Sequence, residues 1–130
     1  SPYVSAYLWS VSGFGTKYAD PATLPAGDAN GVAFSPNGTA LAIAHGTSPY
    51  VSVYPWSSAG FGTKFADPAT LPAGVGQEVA FSPAGTALAV GISLIEVKYY
   101  LSIDGNRLPI KMLELVFYSF LEVLQLKDLE

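Results

Sequence analysis

The chain has 130 residues, of which half are apolar and only 12% are charged. This composition excludes an intrinsically disordered chain, and 13 glycines with 10 prolines favour a turn-rich β protein over a helical bundle. The net charge of −4, with six scattered basic residues, argues against nucleic acid as a partner. Because cysteine is absent, disulfides, thiolate metal sites and cysteine nucleophiles are excluded.

The most apolar stretch of the sequence does not predict a membrane segment. A membrane-crossing helix needs roughly 18 uncharged apolar residues, and Lys111, Glu114 and Glu122 interrupt that stretch. We therefore expect no membrane partner. The chain begins at SPYVS without an initiator methionine, so we interpret it as a processed, truncated or engineered fragment and leave its cellular compartment open.

An internal repeat with a period of 47 residues organises the chain. Residues 1–44 match residues 48–91 at 32 of 44 positions. The segment FGTKYADPATLPAG at residues 14–27, for example, returns as FGTKFADPATLPAG at residues 61–74. A period in the 40s is typical of stacked β-blades or helical pairs. The repeat therefore predicts an architecture more directly than an activity.

The first half of each copy predicts two strands joined by a turn. Residues 3–9 (YVSAYLW) alternate and are rich in aromatic and β-branched side chains, which indicates a half-buried strand. Residues 10–15 (SVSGFG) predict a glycine-rich turn. Residues 16–24 follow as a poor strand, because Pro21 lacks the N–H that a ladder needs and so favours an outer edge.

The second half of each copy predicts two buried strands. Residues 31–34 (GVAF) form an apolar run that predicts a strand buried on both faces. The SPNG sequence at residues 35–38 favours a turn with proline at its second position. Residues 39–44 (TALAIA) then predict a buried strand whose small side chains let neighbouring sheets approach closely. Four short strands therefore make one period.

The segments VAFSPNGTALAIAHG at residues 32–46 and VAFSPAGTALAVG at residues 79–91 resemble the FSPDGT segment of WD-repeat and related β-propeller proteins. Trp9 and Trp56 stand where such repeats end their third strand. The resemblance covers residues 1–91 and implies two propeller-like four-stranded blades, circularly shifted so that the chain starts and ends within a blade. The turn Asp of the family is Asn37 in one copy and Ala84 in the other. Propellers include binding scaffolds and enzymes alike, so the resemblance implies a fold and not a function.

Residues 92–130 form a different kind of sequence, without alanine or threonine and with ten of the sixteen charged residues. We therefore divide the chain into residues 1–91 and a non-repeat tail. Within the tail we expect a strand at about residues 95–103, a turn at residues 104–106 and an amphipathic helix at about residues 110–128. The alternative to the helix is two further strands through the aromatic and β-branched run at residues 116–120. The expected fold is mostly β in either case.

Three loops are candidates for a binding surface, at residues 28–31, 45–48 and 75–78. The copies differ at all four positions of residues 28–31 and 75–78, although the flanking LPAG and VAF are identical. Differences concentrated there fit a recognition surface for a protein or glycan on a constant scaffold, and the alternative is that these are solvated loop tips free to vary. The candidate binding residues are Asp28, Ala29, Asn30, Gly31, His45, Thr47, Val75, Gln77 and Glu78.

We predict no catalytic, cofactor or metal site. His45 is the only histidine and its repeat equivalent is Ile92, so the repeat builds no symmetric metal site. Asp20 and Asp67 both precede proline, and in adjacent blades they would lie too far apart for acid–base catalysis, so we interpret them as turn caps. The expectation is a protein that is not an enzyme and needs no cofactor.

Aromatic side chains recur in the first strand of each copy. They alternate with serine and valine, which favours a stabilising cross-strand stripe; the alternative is a ladder that stacks on sugars. The residues of this stripe are Tyr3, Tyr7, Trp9, Tyr50, Tyr54 and Trp56.

The predicted blades leave open edges at both ends of the repeat region. Strands in residues 3–24 lack inner partners, and strands in residues 79–90 lack outer ones. Because exposed edges invite pairing, we expect residues 79–90 of one chain to complete a blade with residues 3–24 of the next. A head-to-tail contact of this kind closes into a ring or propagates into a filament. The expected function is a homo-oligomeric structural or binding module that presents the variable loops.

Two alternatives stay open. In the first, the chain is a monomeric propeller remnant whose tail caps the open sheet, because the apolar face of the predicted helix is too large to leave in water. The candidate assembly residues on that face are Leu113, Val116, Phe117, Phe120, Leu121 and Leu124. In the second, the chain is a fragment of a propeller-type enzyme, although no nucleophile, metal cluster or general base stands out.

Overall fold

A computed structural model describes residues 2–94, 99–103 and 106–110 of the chain. The described residues are mostly β, as the sequence predicts: ten strands form four antiparallel sheets, and this part of the chain contains no helix. The chain divides into two compact units, Ser1–Leu94 and Ile95–Glu130. The strands are β1 (Tyr7–Ser10), β2 (Gly13–Lys17), β3 (Ala29–Phe34), β4 (Ala40–His45), β5 (Val51–Ser57), β6 (Gly60–Phe61), β7 (Val75–Phe81), β8 (Leu88–Ser93), β9 (Tyr99–Ile103) and β10 (Asn106–Ile110).

The centre of the first unit is a four-stranded sheet with the order β3-β4-β5-β6. β4 pairs with β5 in a register that places Leu41 opposite Tyr54 and Ala42 opposite Val53. β4 is almost completely buried, which agrees with the prediction for its small apolar side chains. Ala42 and Ala44 pack in one cluster with Val51 and with Val79 from β7. The core therefore lies between the four-stranded sheet and the next copy.

The other two sheets of this unit are two-stranded, β1-β2 and β7-β8. By the 47-residue offset, β1 and β2 correspond to β5 and β6, whereas β7 and β8 correspond to β3 and β4. The tight turns are repeated as well: the N–H of Gly38 donates to the Ser35 carbonyl oxygen at 2.8 Å, and the N–H of Gly85 donates to Ser82 at 2.8 Å. The two copies therefore share local geometry but not strand partners.

The outer strands are shorter and begin earlier than predicted. β2 starts at Gly13 and ends at Lys17, and β6 contains only Gly60 and Phe61, so most of residues 18–28 and 62–74 lie outside strands. The prolines in both segments remove the backbone donors that a ladder requires. The glycine-rich turn predicted at residues 10–15 contains only the two residues Val11 and Ser12.

The burial predicted for two strands is wrong. β3 was expected to be buried on both faces, yet Val32 and Phe34 are exposed, because β7 covers only part of this strand. β1 was expected to be half-buried, yet all four of its residues are exposed. Its equivalent β5 is largely buried, since β4 lies beside it. The difference between β1 and β5 is therefore the neighbouring strand that β1 lacks among the described residues.

In the second unit, β9 and β10 form a hairpin in which Ile103 lies opposite Asn106 and Tyr99 opposite Ile110. β9 lies within the predicted strand, whereas β10 was not predicted: Asn106 was assigned to the turn at residues 104–106, and Pro109 was expected near the first turn of the helix. A proline is compatible with a strand that has one hydrogen-bonded neighbour, as β10 has among the described residues. The predicted helix at about residues 110–128 lies outside the described residues beyond Ile110.

Candidate functional site

The three segments predicted as binding loops contact one another. The N–H of Gly46 donates to the carbonyl oxygen of Asp28 at 3.0 Å. The amide Nδ2 of Asn30 donates to the carbonyl oxygen of Gly76 at 2.8 Å. These hydrogen bonds join residues 28–31 to residues 45–48 on one side and to residues 75–78 on the other. The fold therefore gathers the sequence differences between the copies into one region.

Most of this region is strand and not loop, which corrects the prediction. Residues 29–31 belong to β3, His45 ends β4, and residues 75–78 belong to β7. The pairing register shifts between Ala29 and Gly31 and, at the equivalent place, between Gly76 and Glu78. Such a shift is a β-bulge, in which one extra residue lets the strand continue with a local twist. The extra residue is Asn30 in the first copy and Gln77 in the second.

Two glycines allow the second repeat to pack closely on the first, Gly31 where β3 meets β7, and Gly76 where β7 meets Tyr50 and the end of β4. A Cβ added at Gly31 would lie 2.9 Å from the Gln77 carbonyl oxygen and 2.9 Å from the Glu78 Cα. A Cβ added at Gly76 would overlap the carbonyl oxygen of Tyr50. The repeat equivalents of these glycines are Glu78 and Ala29, which both carry a Cβ. Part of the sequence difference between the copies is therefore explained by the packing of one copy on the other.

A groove of about 420 Å³ lies between β3 and the β7-β8 sheet. Its only charged lining residue is Glu78, and the side chain of Asn30 is already engaged with Gly76. The groove thus offers one carboxylate acceptor beside small apolar residues. It is lined by Asn30, Gly31, Val32, Glu78, Val79, Ala80, Ala89 and Gly91.

The other candidate residues differ in accessibility. Asp28, Thr47 and Gln77 are exposed, whereas Val75 is half-buried. The Gln77 amide Nε2 donates to the Ser93 hydroxyl at 3.0 Å within its own sheet. The structure thus brings these exposed polar groups together at the surface.

His45 is fully buried and both of its ring nitrogens are engaged. Nδ1 lies 2.8 Å from the Thr47 carbonyl oxygen, and because a carbonyl only accepts, Nδ1 carries the proton. Nε2 then accepts from the Ser52 hydroxyl at 3.0 Å. Burial lowers the pKa of His45 below its ordinary value, which favours this neutral tautomer. His45 therefore stabilises the turn and the β4-β5 pair and is not available to a ligand.

The two matched aspartates form ion pairs with lysines three residues before them. Lys17 Nζ lies 2.6 Å from Asp20 Oδ1, and Lys64 pairs with Asp67 in the same way. Both aspartates are exposed, so each pair adds little to stability. Each carboxylate thus has a local partner within its own repeat.

The most informative contrast between the copies is aromatic. Trp56 makes edge-to-face contacts with three rings, with centroid distances of 5.0 Å to Tyr18, 5.1 Å to Phe34 and 5.0 Å to Phe61. Its equivalent Trp9 contacts only the ring of Phe14, at 5.3 Å, among the described aromatic pairs. Trp9 is 72% exposed and Phe14 is 79% exposed.

The same contrast holds for the tyrosines that precede the tryptophans by two residues. Tyr54 is completely buried, and its hydroxyl donates to the Thr23 carbonyl oxygen at 2.7 Å. Its equivalent Tyr7 is 46% exposed. We call Tyr7, Trp9 and Phe14 the open aromatic surface. The sequence predicts the aromatic stripe, but the repeat alone does not reveal that, among the described residues, other side chains cover it in the second repeat and not in the first.

The described part of the chain was searched for groups of metal-binding side chains and for membrane-spanning helices. Among the residues that the structure describes, no three His, Asp or Glu side chains are grouped to hold a metal ion. No helix in this same part of the chain is long and apolar enough to span a membrane. The six candidate assembly residues from Leu113 to Leu124 lie outside the described residues. Comparison of the chain with protein-family models, curated proteins and solved structures finds no match.

Proposed function

We propose that the protein is a non-catalytic structural or binding module that assembles with copies of itself by completing its two-stranded sheets. One observation carries the proposal. The β3-β4-β5-β6 sheet has four strands, and the sheets on either side contain the counterparts of its outer half, β1-β2, and of its inner half, β7-β8. The β1-β2 sheet therefore lacks the inner strand pair that β7-β8 of a second chain can supply. The β7-β8 sheet likewise lacks the outer pair that β1-β2 of another chain can supply.

The free edges support the same proposal. Among the described residues, β1 pairs only with β2 and β8 pairs only with β7. Within the part of the chain that the structure describes, the opposite edge of each strand has no strand partner. The backbone N–H and C=O groups of such an edge are a template for pairing with another chain. The edge of β8 corresponds to the edge of β4 that binds β5, and the edge of β1 corresponds to the edge of β5 that binds β4.

A contact between β8 of one chain and β1 of the next is head-to-tail, so it closes into a ring or continues as a filament. In the propeller-like form of the proposal, each chain contributes the strands of two blades. A ring of about six or eight blades, within the usual range for propellers, would then be a trimer or a tetramer. The assembly would present the exposed residues of the 28–31, 45–48 and 75–78 segments, notably Glu78, to a protein or glycan.

The oligomeric mass tests the proposal. We expect multi-angle light scattering to show an oligomer whose population rises with protein concentration. A protein that stays monomeric throughout the concentration series would contradict self-assembly.

Removal of residues 109–130 distinguishes sheet completion from the alternative in which the tail caps the open sheet of a monomer. If the sheets complete each other between chains, the shortened protein keeps its oligomeric mass. Aggregation of the shortened protein, together with a monomeric full chain, would favour capping by the tail.

A further inference from the structure

We infer that the partner of the open aromatic surface is the β8 edge of a second copy, held in the register that the molecule's own β4-β5 pair defines. This inference rests on the proposed self-assembly and adds the strand pair, the residue register and the side chains that meet. It treats the four-stranded sheet as an internal template for the contact between chains.

The template fixes the register. In β4-β5, Leu41 lies opposite Tyr54 and Ala42 lies opposite Val53. Applying the 47-residue offset, forward for β4 and backward for β5, places Leu88 of the second copy opposite Tyr7 and Ala89 of the second copy opposite Ala6. Leu88, Tyr7 and Ala89 are identical to their template residues, and Ala6 is smaller than Val53. Over the five pairs of this register, only Leu8, which replaces Pro55, is larger than its template residue. Val90 and Gly91 are, like Ala6, smaller than their template residues, and the other side chains are identical to theirs.

The backbone of the receiving strand is already held as in the template. The N–H of Tyr18 donates to the Ala6 carbonyl oxygen at 2.9 Å. The equivalent bond in the second repeat of the same chain runs from the N–H of Phe65 to the Val53 carbonyl oxygen, also at 2.9 Å. Residue 6 therefore has its outer hydrogen bond in place and lacks only the inner strand.

The open aromatic surface is also preorganised. The Tyr7 and Phe14 centroids are 5.6 Å apart with an interplanar angle of 76°, whereas the equivalent Tyr54 and Phe61 give 5.5 Å and 83°. The Trp9–Phe14 pair, at 5.3 Å and 80°, likewise reproduces the Trp56 pair, at 5.0 Å and 85°. These rings keep the template arrangement without the strand that covers it there. Because they need little rearrangement, less conformational entropy is lost when they bind.

The template also shows which groups would cover Trp9 and Tyr7 in the complete contact. Trp56 receives the ring of Phe34 from β3 and the ring of Tyr18 from the preceding copy, and Tyr54 receives the Thr23 carbonyl oxygen. The counterparts of these three groups are Phe81, Phe65 and Thr70 of the second copy. We therefore assign Phe81 and Phe65 as the rings that cover Trp9, and the Thr70 carbonyl oxygen as the acceptor for the Tyr7 hydroxyl.

Disulfide trapping tests the register, because the chain contains no cysteine of its own. Directly opposed residues in antiparallel strands have Cα atoms about 4.5–5.5 Å apart, which is within the range that a disulfide spans. We expect a mixture of Ala6→Cys and Ala89→Cys chains, one of them carrying a mass tag, to give a disulfide-linked heterodimer under mild oxidation. The matched control mixes Ala6→Cys with Ala87→Cys, two residues out of register on the same strand face, and should give only background linkage.

The outcomes separate this inference from the proposed function. An oligomer by light scattering that gives no linkage between positions 6 and 89, or equal linkage between positions 6 and 87, overturns the register and leaves self-assembly standing. A strictly monomeric protein overturns both. Before oxidation, the variants should keep the mass and circular dichroism of the parent protein.

A second measurement needs no cysteine. The chain has two tryptophans, so Trp56→Phe leaves Trp9 as the only reporter. If Phe81 and Phe65 of a second copy cover Trp9, its emission maximum should move to shorter wavelength as the oligomer forms, and Phe81→Ala should reduce that shift. An emission maximum that stays constant while the oligomer forms would overturn the assignment of the open aromatic surface as the interface.

Discussion

Trp9 and Trp56 occupy equivalent positions in two copies of one sequence, so replacing each by alanine compares the same change in two surroundings. Trp56 packs edge-to-face on three rings. Removing a large aromatic side chain from a packed site costs about 3–5 kcal/mol of unfolding free energy. Because Trp56 is only half-buried, we expect Trp56→Ala to lie near the lower end, about 3 kcal/mol. For Trp9, which contacts one ring and is mostly exposed, we expect a loss of about 1 kcal/mol or less in the dilute chain.

For assembly we expect the opposite order, with Trp9→Ala weakening association between chains more than Trp56→Ala. In the proposed oligomer, Trp9 gains two ring partners, Phe81 and Phe65 of the second copy. At about 0.5–1.5 kcal/mol for each aromatic pair, Trp9→Ala should weaken association by about 1–3 kcal/mol. Since each 1.4 kcal/mol is a factor of ten, the dissociation constant should rise roughly five- to 150-fold.

Denaturant unfolding and light scattering over a concentration series measure the two effects. Trp56→Ala should lower the unfolding free energy at every protein concentration. Trp9→Ala should lower it mainly at concentrations where the parent protein is oligomeric, because association stabilises only the folded chain. The control is Val11→Ala, at a fully exposed turn position outside the template contacts, which should change neither quantity.

Two results would refute this reasoning. If Trp9→Ala destabilises the dilute chain as strongly as Trp56→Ala, then Trp9 belongs to the core of the single chain. If Trp9→Ala leaves the association constant unchanged while the protein still assembles, then the open aromatic surface is not the interface.

Four further substitutions, one of them a control, probe the packing within one chain. Gly76→Ala should lower the unfolding free energy by about 1–3 kcal/mol, the usual cost of overpacking, because its Cβ would overlap the Tyr50 carbonyl oxygen. The control Gly91→Ala should be tolerated in the dilute chain, since its Cβ would lie 3.8 Å from the Glu78 Cβ. Equal losses of unfolding free energy in the two variants, measured with denaturant, would contradict this. Ala84→Asn should raise the melting temperature, since its counterpart Asn37 accepts a hydrogen bond from the Thr39 hydroxyl at 2.8 Å and such a bond contributes about 0.5–1.5 kcal/mol; an unchanged or lower melting temperature would argue against a shared turn geometry. Because burial lowers the pKa of His45 below 6.5, the unfolded chain takes up a proton that the folded chain resists, so stability should fall as the pH drops from 8 to 5. His45→Gln should remove that part of the slope in denaturant unfolding, and an unaltered slope would contradict the assignment.

Local sequence signals predict the strand–turn–strand part of each copy well. The SPNG and SPAG sequences place a glycine at the fourth turn position, and Gly38 and Gly85 both adopt a φ of +69° there. The run TALAIA predicts a buried strand because its side chains are small and apolar, and β4 is that strand, shifted by one residue. These features depend on residues that are neighbours in the sequence, which is why the sequence alone is sufficient for them.

The candidate site depends on distant residues and was harder to predict. Residues 29–31 continue β3 because Asn30 bonds to Gly76, 46 positions away, and because Gly31 lets the Gln77 backbone approach. His45 is buried because Ser52 on the neighbouring strand provides its second hydrogen bond. A pattern of local polarity predicts loops for such segments, since it contains no information on which strand will lie beside them. The sequence signal that points to this close packing is the replacement of Gly31 by Glu78 and of Gly76 by Ala29 at equivalent positions of the other repeat.

That exchange also limits how a second copy can approach. The packing of the second repeat on the first needs glycine at position 31, against the Gln77 backbone, and at position 76, against the Tyr50 carbonyl oxygen. The repeat equivalents that would meet a further chain are Glu78 and Ala29. If the contact were repeated unchanged between chains, the Cβ of Glu78 would lie as close to the opposing backbone as the 2.9 Å found for a Cβ at position 31. The edge contact of β4 with β5 contains no glycine that a larger residue replaces in the pairing between chains. In the proposed assembly the strand pairing is therefore conserved between chains, whereas the face contact is wider than the one within a chain, and the whole chain is the repeating unit.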